Sequence, residues 1–383
     1  MRQLLIVLGT CLSSTACLQS STAPTVPAET CQFSQTTDPN NVPLCLEAAH
    51  VISREDRLRA DGAFAGVRAL EDSLRADTAI ASFQRASELF RAMVHVAQMY
   101  SRGVLTDSAR FHRMIDHVLV TAEVIRGQTV RYVGGKIAPS TTPYLMWVSY
   151  PSNGIFFQPV STFQHTGFLF VRTSISTDSL EHVGDAMWRY AIWRRHGGVR
   201  FPVWEYEFSF NSGGVTNDAP WISGQAQGLA LIVYAELYRR TGEARWREYG
   251  YQVLNSFRVL WDDGGVMLPD TAHGYWWEEF SPYNQIWNGS AEAALGVGEF
   301  WLATDDPEVK RMFDRGIEAI KYNTRFYDTG SWTLYSRTQG YTTRAYHAGC
   351  IQILDAFFQV TGDAWFRDLA DKWRAYVPPP GVN

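Results

Sequence analysis

Hydrophobic residues recur three and four positions apart along most of the chain, a spacing that places them on one face of a helix. The segment 229–237 carries leucine and valine at this spacing, and the segment 251–257 carries tyrosine, valine, leucine and phenylalanine. Glycine, proline and small polar residues separate such segments. The pattern predicts an all-α protein in which neighbouring helices pair through their apolar faces.

A short polar motif recurs between the predicted helices. The sequence TDSARF at 106–111 resembles TGEARW at 241–246 and TGDAWF at 361–366, and weaker copies begin at Thr177 and Thr304. Its small polar residues can cap the following helix, and its acidic residue complements the helix dipole. Because the copies lie about 60 residues apart, they predict an α/α toroid, an incomplete barrel of about five helix hairpins.

Four longer connections interrupt the helices and are rich in glycine, proline and aromatic residues. They span 128–158, 197–221, 261–287 and 324–343, and each contains short runs typical of strands. In a toroid the links on one side are short, so the long connections belong to the other side. We therefore expect short β excursions that line a cleft.

Composition and charge narrow the range of partners. The chain has 383 residues, a net charge of −5 and no basic stripe, which excludes nucleic acid as a partner because phosphate neutralisation dominates that binding. Aromatic residues make up 14% of the chain. Aromatic faces in loops suit sugar rings, and a few local arginines would suffice for an anionic polysaccharide.

The N-terminus is typical of an export signal. Arg2 precedes an apolar run at 4–8, and small residues then lead to Cys17. The run is too short to span a bilayer. We predict a signal peptide of the lipoprotein type over 1–17, with contact to the membrane only through lipid on Cys17. The protein is then expected in the bacterial cell envelope, or secreted.

The rest of the chain divides into three predicted parts. Residues 18–45 are expected to form a flexible tether in which Cys31 and Cys45 pair as a disulfide in an oxidising compartment. Residues 46–200 are expected to form the N-terminal helical part of the toroid, and residues 201–378 its C-terminal part.

Several motifs in the C-terminal half occur in the order found in one enzyme family. They are 220–228 (PWISGQAQG), 264–266 (GGV), 277–280 (WEEF), 287–289 (WNG), 313–318 (FDRGIE), 327–335 (YDTGSWTLY), 346–347 (YH) and 366–373 (FRDLADKW). Together they resemble the C-terminal catalytic domain of D-glucuronyl C5-epimerases over about 218–376. The resemblance implies a toroid, an exported bacterial homologue, and epimerisation at C5 of D-glucuronate to L-iduronate in a heparosan- or heparan-like polysaccharide.

The resemblance also assigns site residues. It implies functional roles for Glu279, Tyr335 and Tyr346, and it matches the family's arginine with Arg337, displaced by one position. Inversion at C5 requires a base and an acid on opposite ring faces and a cation on the substrate carboxylate. We expect Tyr346 and Glu279 to be the opposed pair, assisted by Tyr335. Either Arg337 or Arg344 is expected to hold the carboxylate.

Further residues on the same connections are expected to contact the substrate, namely Tyr150, Trp204, Trp277, Glu278 and His347. His347 is expected to act by orienting a neighbour through a hydrogen bond. No metal ligand spacing stands out, and no cofactor is expected. The resemblance implies a homodimer formed through the helical domain.

Two alternatives remain open. A polysaccharide lyase would share proton abstraction at C5 and then eliminate the 4-linked sugar. A non-catalytic glycan-binding relative is the other, because Phe280 stands where the animal enzymes have a functional tyrosine and the segment 336–345 differs from the family.

Overall fold

The computed structural model describes most of the chain after its N-terminal segment. It covers residues 31, 38–127, 131–133, 136–150, 153–164, 175–212, 214–269 and 272–382. The predicted signal peptide, Cys17 and most of the predicted tether lie outside these ranges. The predicted disulfide between Cys31 and Cys45 is confirmed.

Helices dominate the described residues. They are α1 (Asn41–Ala48), α2 (Arg54–Ala76), α3 (Ile80–Ser101), α4 (Ser108–Arg126), α5 (Pro159–Gln164), α6 (Thr177–Arg189), α7 (Gly224–Thr241), α8 (Ala244–Leu254), α9 (Trp287–Thr304), α10 (Pro307–Thr324), α11 (Arg344–Thr361) and α12 (Ala364–Arg374). None of these described helices combines the length and the apolar character needed to cross a membrane. The all-α prediction is confirmed.

Ten short strands lie in two of the predicted excursions and just before the second. They are β1 (Arg131–Val133), β2 (Lys136–Ala138), β3 (Trp147–Tyr150), β4 (Gly154–Phe157), β5 (Ile192–His196), β6 (Val199–Val203), β7 (Glu205–Tyr206), β8 (Phe210–Ser212), β9 (Val215–Asn217) and β10 (Trp221–Ile222). Strands β1 to β4 form an antiparallel sheet in chain order. The pairs β5–β6, β8–β9 and β7–β10 are also antiparallel.

The C-terminal helices have the inner and outer layers of a toroid. Helices α7 and α9 are buried on nearly all sides, and they pack against each other, while α11 packs against α9. Helices α8, α10 and α12 each bury one apolar face and expose the other. This alternation is the pattern expected when paired helices form concentric layers, so the predicted toroid is confirmed.

The repeated motif lies where the sequence predicts, at turns between paired helices. Asp107, Asp306 and Asp363 each precede a helix, and each carboxylate accepts a hydrogen bond from a backbone N–H in its first turn. These aspartates satisfy otherwise unpaired donors at the helix start. The short turns therefore lie on one side of the toroid, as expected.

Helix α1 begins inside the segment expected to be a flexible tether. Val42, Cys45 and Leu46 are at most 1% exposed and pack with the apolar faces of α2, α3 and α4. The prediction of a tether that extends to residue 45 is therefore wrong at its C-terminal end. Burial of these apolar side chains favours a helix docked on its neighbours.

Helices α7 and α9 touch through their backbones. A Cβ atom added to Gly228 would lie 2.5 Å from the Cα of Ala293, and one added to Gly296 would lie 2.2 Å from the carbonyl oxygen of Gly228. Any side chain at these two positions would push the helices apart. The close approach fixes the first turns of α7 and α9 relative to each other.

Candidate active site

Glu279, Tyr335 and Tyr346 come from three separate segments and meet in one place. Glu279 lies in the loop before α9, Tyr335 in the loop between α10 and α11, and Tyr346 in the first turn of α11. The two tyrosine rings meet edge to face, with centroids 5.2 Å apart. Tyr346 is 47% exposed. The structure thus brings together the three residues expected to be catalytic, with one of them open to solvent.

The loop that carries Glu279 is docked on the starts of α7 and α9. The backbone N–H of Gly224 donates to the carbonyl oxygens of Glu278 and Glu279, at 2.9 and 3.0 Å. A Cβ atom at Gly289 would lie 2.4 Å from Oε2 of Glu279. The carboxyl group therefore packs directly against the α9 backbone, and Gly289 is the residue that permits it.

The carboxyl group of Glu279 is held in an unfavourable environment for a charge. Its Oε2 atom is buried and has no hydrogen-bond partner among the described residues. Burial raises the pKa of Glu279 well above its usual value, and the negative charges of Glu278 and Glu292 raise it further. Glu279 therefore holds its proton far more tightly than an exposed glutamate does.

Glu278 orients this loop. Its Oε2 accepts a hydrogen bond from the indole of Trp276 at 2.9 Å, and its Oε1 accepts from the backbone N–H groups of Glu279 at 2.9 Å and Ile286 at 3.3 Å. Burial raises the pKa of Glu278 to about 7. Because Glu278 is 1% exposed, its expected role as a substrate contact is wrong. It fixes the backbone beside Glu279 instead.

Both site tyrosines are protonated near neutral pH. Burial, followed by the charge of Glu279, raises the pKa of Tyr335 and that of Tyr346. The hydrogen bond between the two hydroxyls raises the pKa of Tyr335 and lowers that of Tyr346. Tyr335 is therefore the donor and Tyr346 the acceptor. Such a contact would stabilise a phenolate on Tyr346.

Tyr150 extends the site toward the four-stranded sheet. Burial raises its pKa to about 12, and Tyr346 contributes electrostatically. Its ring lies 4.4 Å from that of Phe208. Tyr150 packs against the same cluster of buried aromatic residues as Tyr335, so it borders the site.

Tyr206 lies on the connection 197–221, which was expected to face the cleft and to contact substrate. Its hydroxyl donates to Oε1 of Gln158 at 3.2 Å, and its ring stacks on Trp221 with centroids 3.8 Å apart. Both Tyr150 and Glu279 act on its pKa, which burial raises well above the usual value.

Glu292 is a site residue that the sequence patterns did not indicate. It is 4% exposed, and its Oε2 accepts a hydrogen bond from Nε2 of Gln225 at 2.8 Å. Burial raises the pKa of Glu292 to about 7, although hydrogen bonds from Gln225 and Gln164 oppose this. A glutamate inside the apolar run of 291–297 was the signal that could have pointed to it.

Trp204 and Trp277 are structural, so their expected contact with substrate is wrong. They are 0% and 1% exposed. The indole N–H of Trp204 donates to the carbonyl oxygen of Met187 at 2.8 Å, and that of Trp277 donates to the carbonyl oxygen of Phe257 at 2.9 Å. Large aromatic rings with a satisfied N–H gain more from the core than from the surface.

Neither arginine expected to hold the substrate carboxylate points to this site. The guanidinium of Arg337 donates to Oδ1 of Asn323 at 2.9 Å and lies 3.9 Å above the ring of Phe326. Arg344 donates from Nε to the carbonyl oxygen of Val382 at 3.4 Å. The guanidinium of Arg337 is held near α10 and also bonds the Tyr327 side chain, so its role toward a substrate carboxylate stays a prediction. Arg344 starts α11, and its one described contact leads toward the C-terminus.

His347 joins α11 to the loop that carries Tyr335. It is 5% exposed and stacks on Trp332 at 3.8 Å. Because Nε2 faces the carbonyl oxygen of Trp373 at 3.0 Å, it carries the proton, and Nδ1 then accepts from the hydroxyl of Thr333 at 2.8 Å. Its expected orienting role is confirmed, whereas a direct contact with substrate is wrong because both nitrogens are engaged.

Phe280 belongs to an aromatic wall beside the site. It is 5% exposed, and its ring meets Trp221 at 5.6 Å and Phe210 at 5.7 Å.

Within the part of the chain that the structure describes, no group of three or more histidine, cysteine, aspartate or glutamate side chains is suited to hold a metal ion.

Comparisons with known proteins match the C-terminal half. The family model described as D-glucuronyl C5-epimerase C-terminus matches residues 198–375. An uncharacterized protein of Methanocaldococcus jannaschii is 26% identical over 182 residues, covering 46% of this chain and 58% of that protein. The D-glucuronyl C5-epimerase of Caenorhabditis elegans is 23% identical over 178 residues, covering 41% of this chain and 29% of that enzyme.

The chain thus spans 58% and 29% of the lengths of these two relatives. Among solved structures, a GH76 alpha-mannanase of Bacteroides thetaiotaomicron has a TM-score of 0.37 and 13% sequence identity, over 57% of this chain and 58% of that chain. The matched segment contains Glu279, Tyr335 and Tyr346. Residues 198–375 are thus similar to the D-glucuronyl C5-epimerase C-terminal family.

Proposed function

We propose that the protein inverts C5 of D-glucuronate residues to give L-iduronate in a heparosan-like or other uronic-acid polysaccharide. The observation that carries the proposal is the convergence of one buried carboxyl group and two tyrosines from three segments of the matched domain. Their contacts with each other are described above. Removal of a proton from one face of a sugar carbon and its return to the opposite face require such groups close together.

Glu279 is the base. In its ionised form it takes the proton from C5, and the electron pair of the broken C–H bond delocalises into the substrate carboxyl group. Burial and the neighbouring carboxylates raise the pKa of Glu279, so its ionised form is a stronger base than an ordinary glutamate. That strength suits a weakly acidic C–H bond.

Tyr346 is the acid. Its hydroxyl donates a proton to the opposite face of C5, which inverts the centre and leaves a phenolate. Tyr335 donates a hydrogen bond to Tyr346 and is close to Glu279. It relays the proton from Glu279 back to Tyr346, so the site returns to its starting state with no net gain or loss of protons.

Hydroxyl groups replace the expected guanidinium around the substrate. Arg337 is engaged with Asn323, whereas Tyr150 packs against the same aromatic cluster as Tyr335. We assign to the Tyr150 hydroxyl a hydrogen bond to the substrate carboxylate. Export to the cell envelope, lipid on Cys17 and a homodimer stay predictions.

Deuterium exchange tests the proposal. The protein is incubated in deuterated water with heparosan and, separately, with other uronic-acid polysaccharides. We expect deuterium at C5, intact chains and iduronate. Ultraviolet absorbance from an unsaturated uronate would instead identify the lyase alternative, and no change on any of these polysaccharides would leave the glycan-binding alternative.

A matched pair of variants tests the assignment of Tyr346. The Tyr346→Phe variant removes the proton donor and should slow exchange by about 100-fold or more. Tyr341→Phe is the control, because Tyr341 belongs to the same region and is 51% exposed. Similar exchange rates for the two variants would contradict the role of Tyr346.

A further inference from the structure

Glu292 is an unusual residue for the inner helix on which it lies. Helix α9 is otherwise apolar or small through its first turns, and Glu292 is 4% exposed. Its described partners are two amides, Gln225 at 2.8 Å and Gln164. A buried carboxyl group is normally paired with a cation because desolvation of the charge is costly. The amides hold its position but supply no positive charge.

The geometry of α9 places Glu292 beside Glu279. The carboxyl group of Glu279 packs against the backbone at Gly289, where a Cβ atom would lie 2.4 Å from its Oε2. Gly289 and Glu292 are three residues apart, so they share a face of the helix. The unpartnered Oε2 of Glu279 is therefore buried one helical turn from a second carboxyl group.

Both carboxyl groups are held in place by the fold. The backbone contact between α7 and α9 at Gly228 fixes Gln225 opposite Glu292. The loop of Glu279 is anchored to the same end of α7 through Gly224. Neither carboxyl can move away to relieve repulsion without separating these elements.

We propose that Glu292 is a positioning residue that acts on Glu279, because its charge, confined in the same dry volume, makes Glu279 a stronger base. This inference rests on the proposed function and deepens it. Removal of Glu292 should leave the fold and the three reacting groups in place and weaken the base.

Titratable groups around Glu279 and Glu292 lie on two elements. Glu278 and Glu279 lie on the preceding loop, and Tyr346 and Cys350 lie on α11. Helices α7 and α5 contribute the amides of Gln225 and Gln164. Each titratable neighbour in this set is neutral or negative, so ionised Glu292 raises the pKa of Glu279 without compensation.

The test is the pH dependence of C5 exchange in Glu292→Gln. If Glu279 must be ionised, activity rises with pH through its pKa. Removal of the Glu292 charge lowers that pKa, so the rise should move to lower pH by about one pH unit, and the plateau rate should fall about 10-fold because the base is weaker. An unchanged pH profile would show that Glu292 is only structural.

Glu299→Gln is the matched control. Glu299 lies on the same helix, is 3% exposed, and forms an ion pair with Arg239 at 2.8 Å. Its replacement should lower the melting temperature and leave the pH profile where it is. An equal shift in both variants would overturn the inference, because it would then reflect general damage to α9.

A second readout does not depend on turnover. With ¹³C-labelled glutamate carboxyl groups, nuclear magnetic resonance follows the titration of Glu279, whose signal is assigned through Glu279→Gln. Its pKa should fall in Glu292→Gln, or in Glu292→Met if the first variant does not fold. A lowered pKa without activity on any polysaccharide contradicts the proposed function alone. Activity with an unshifted Glu279 contradicts this inference alone.

Discussion

Two groups of buried glutamates in this protein have opposite electrostatics. Glu205 is 0% exposed and accepts hydrogen bonds from Arg110 at 2.7 and 2.8 Å and from Arg194 at 2.7 and 3.0 Å. These arginines lower its pKa to about 2 although burial opposes them. Glu279 and Glu292 have amide, backbone and hydroxyl neighbours instead, and their pKa values are raised.

The difference shows that the partners of a buried glutamate, and not burial alone, set the direction of its pKa shift. The pairs of Glu205 join α4 to β5 and β7, and Arg113 adds a second pair to Glu207 at 2.8 Å. These pairs attach the N-terminal helices to the toroid. Glu279 and Glu292 have no cationic partner among their described contacts, so burial raises their pKa values and the fold bears the unfavourable free energy of their ionisation.

The largest contrast is expected between the variants Glu205→Gln and Glu279→Gln, in their effects on stability and activity. Glu279→Gln removes the base and should slow C5 exchange by about 1,000-fold. Its melting temperature at pH 8 should be no lower than that of the wild type, because a neutral amide replaces a poorly solvated acid. Retention of more than a tenth of the activity would place Glu279 with the structural residues.

Glu205→Gln should act on stability instead. Removal of one partner of a buried ion pair costs about 3–5 kcal/mol in the free energy of unfolding, here with two arginines left behind. Chemical denaturation measures this loss. Asp314→Asn is the control, since its pair with Lys310 is exposed and contributes only about 0.5 kcal/mol. Equal losses in the two variants would contradict a structural role for Glu205.

The pH dependence of stability should have opposite signs in the two groups. The pKa of Glu292 is raised from 4.5 to about 7, so its contribution to stability is present below pH 4.5 and is lost as the pH rises through 7. Glu292→Gln should therefore gain up to about 3 kcal/mol relative to the wild type between pH 4 and pH 8. Unfolding free energies measured across this range provide the test.

For Glu205 the sign reverses. Its pKa is lowered from 4.5 to about 2, so its stabilising contribution is present above pH 4.5 and is lost as the pH falls toward 2. The difference between Glu205→Gln and the wild type should shrink in acid. A constant difference would mean that its ion pairs do not govern its titration.

Arg337→Ala should have the smallest effect. Its guanidinium is held by Asn323 and Phe326, away from Glu279. Exchange should change less than about 2-fold, since substitution of an exposed residue outside a site usually changes free energies by less than 0.5 kcal/mol. A large rise in KM would show that Arg337 binds the substrate. It would also place a cation near Glu279 and Glu292, which have none among their described contacts.

Local patterns in the sequence were sufficient to predict the fold. The three-and-four spacing of apolar residues and the capping motif near residues 106, 241, 304 and 361 depend on contacts within a few residues. They therefore predicted the helices, the turns and the toroid. The tether boundary was misplaced because the helical start at Asn41 is stabilised by packing on α2 to α4.

The site was predicted in part. Glu279, Tyr335 and Tyr346 were recognised through collinear motifs, and the structure brings them together. Trp204 and Trp277 share the composition of sugar platforms, yet they are fully buried, because the direction of a loop side chain depends on the elements packed around it. Arg337 follows the same rule, since α10 provides a competing partner for its guanidinium.

The sequence by itself thus determined the helical repeat, the disulfide partners and the three segments that hold the reactive groups, since each is encoded in residue types at fixed spacing. Only the tertiary structure decided which carboxyl groups have cationic partners. That choice depends on contacts such as Arg110 with Glu205, 95 residues apart, and Gln225 with Glu292, 67 residues apart. Long-range packing sets the local dielectric and the neighbouring charges, and these set the pKa values on which the proposed chemistry depends.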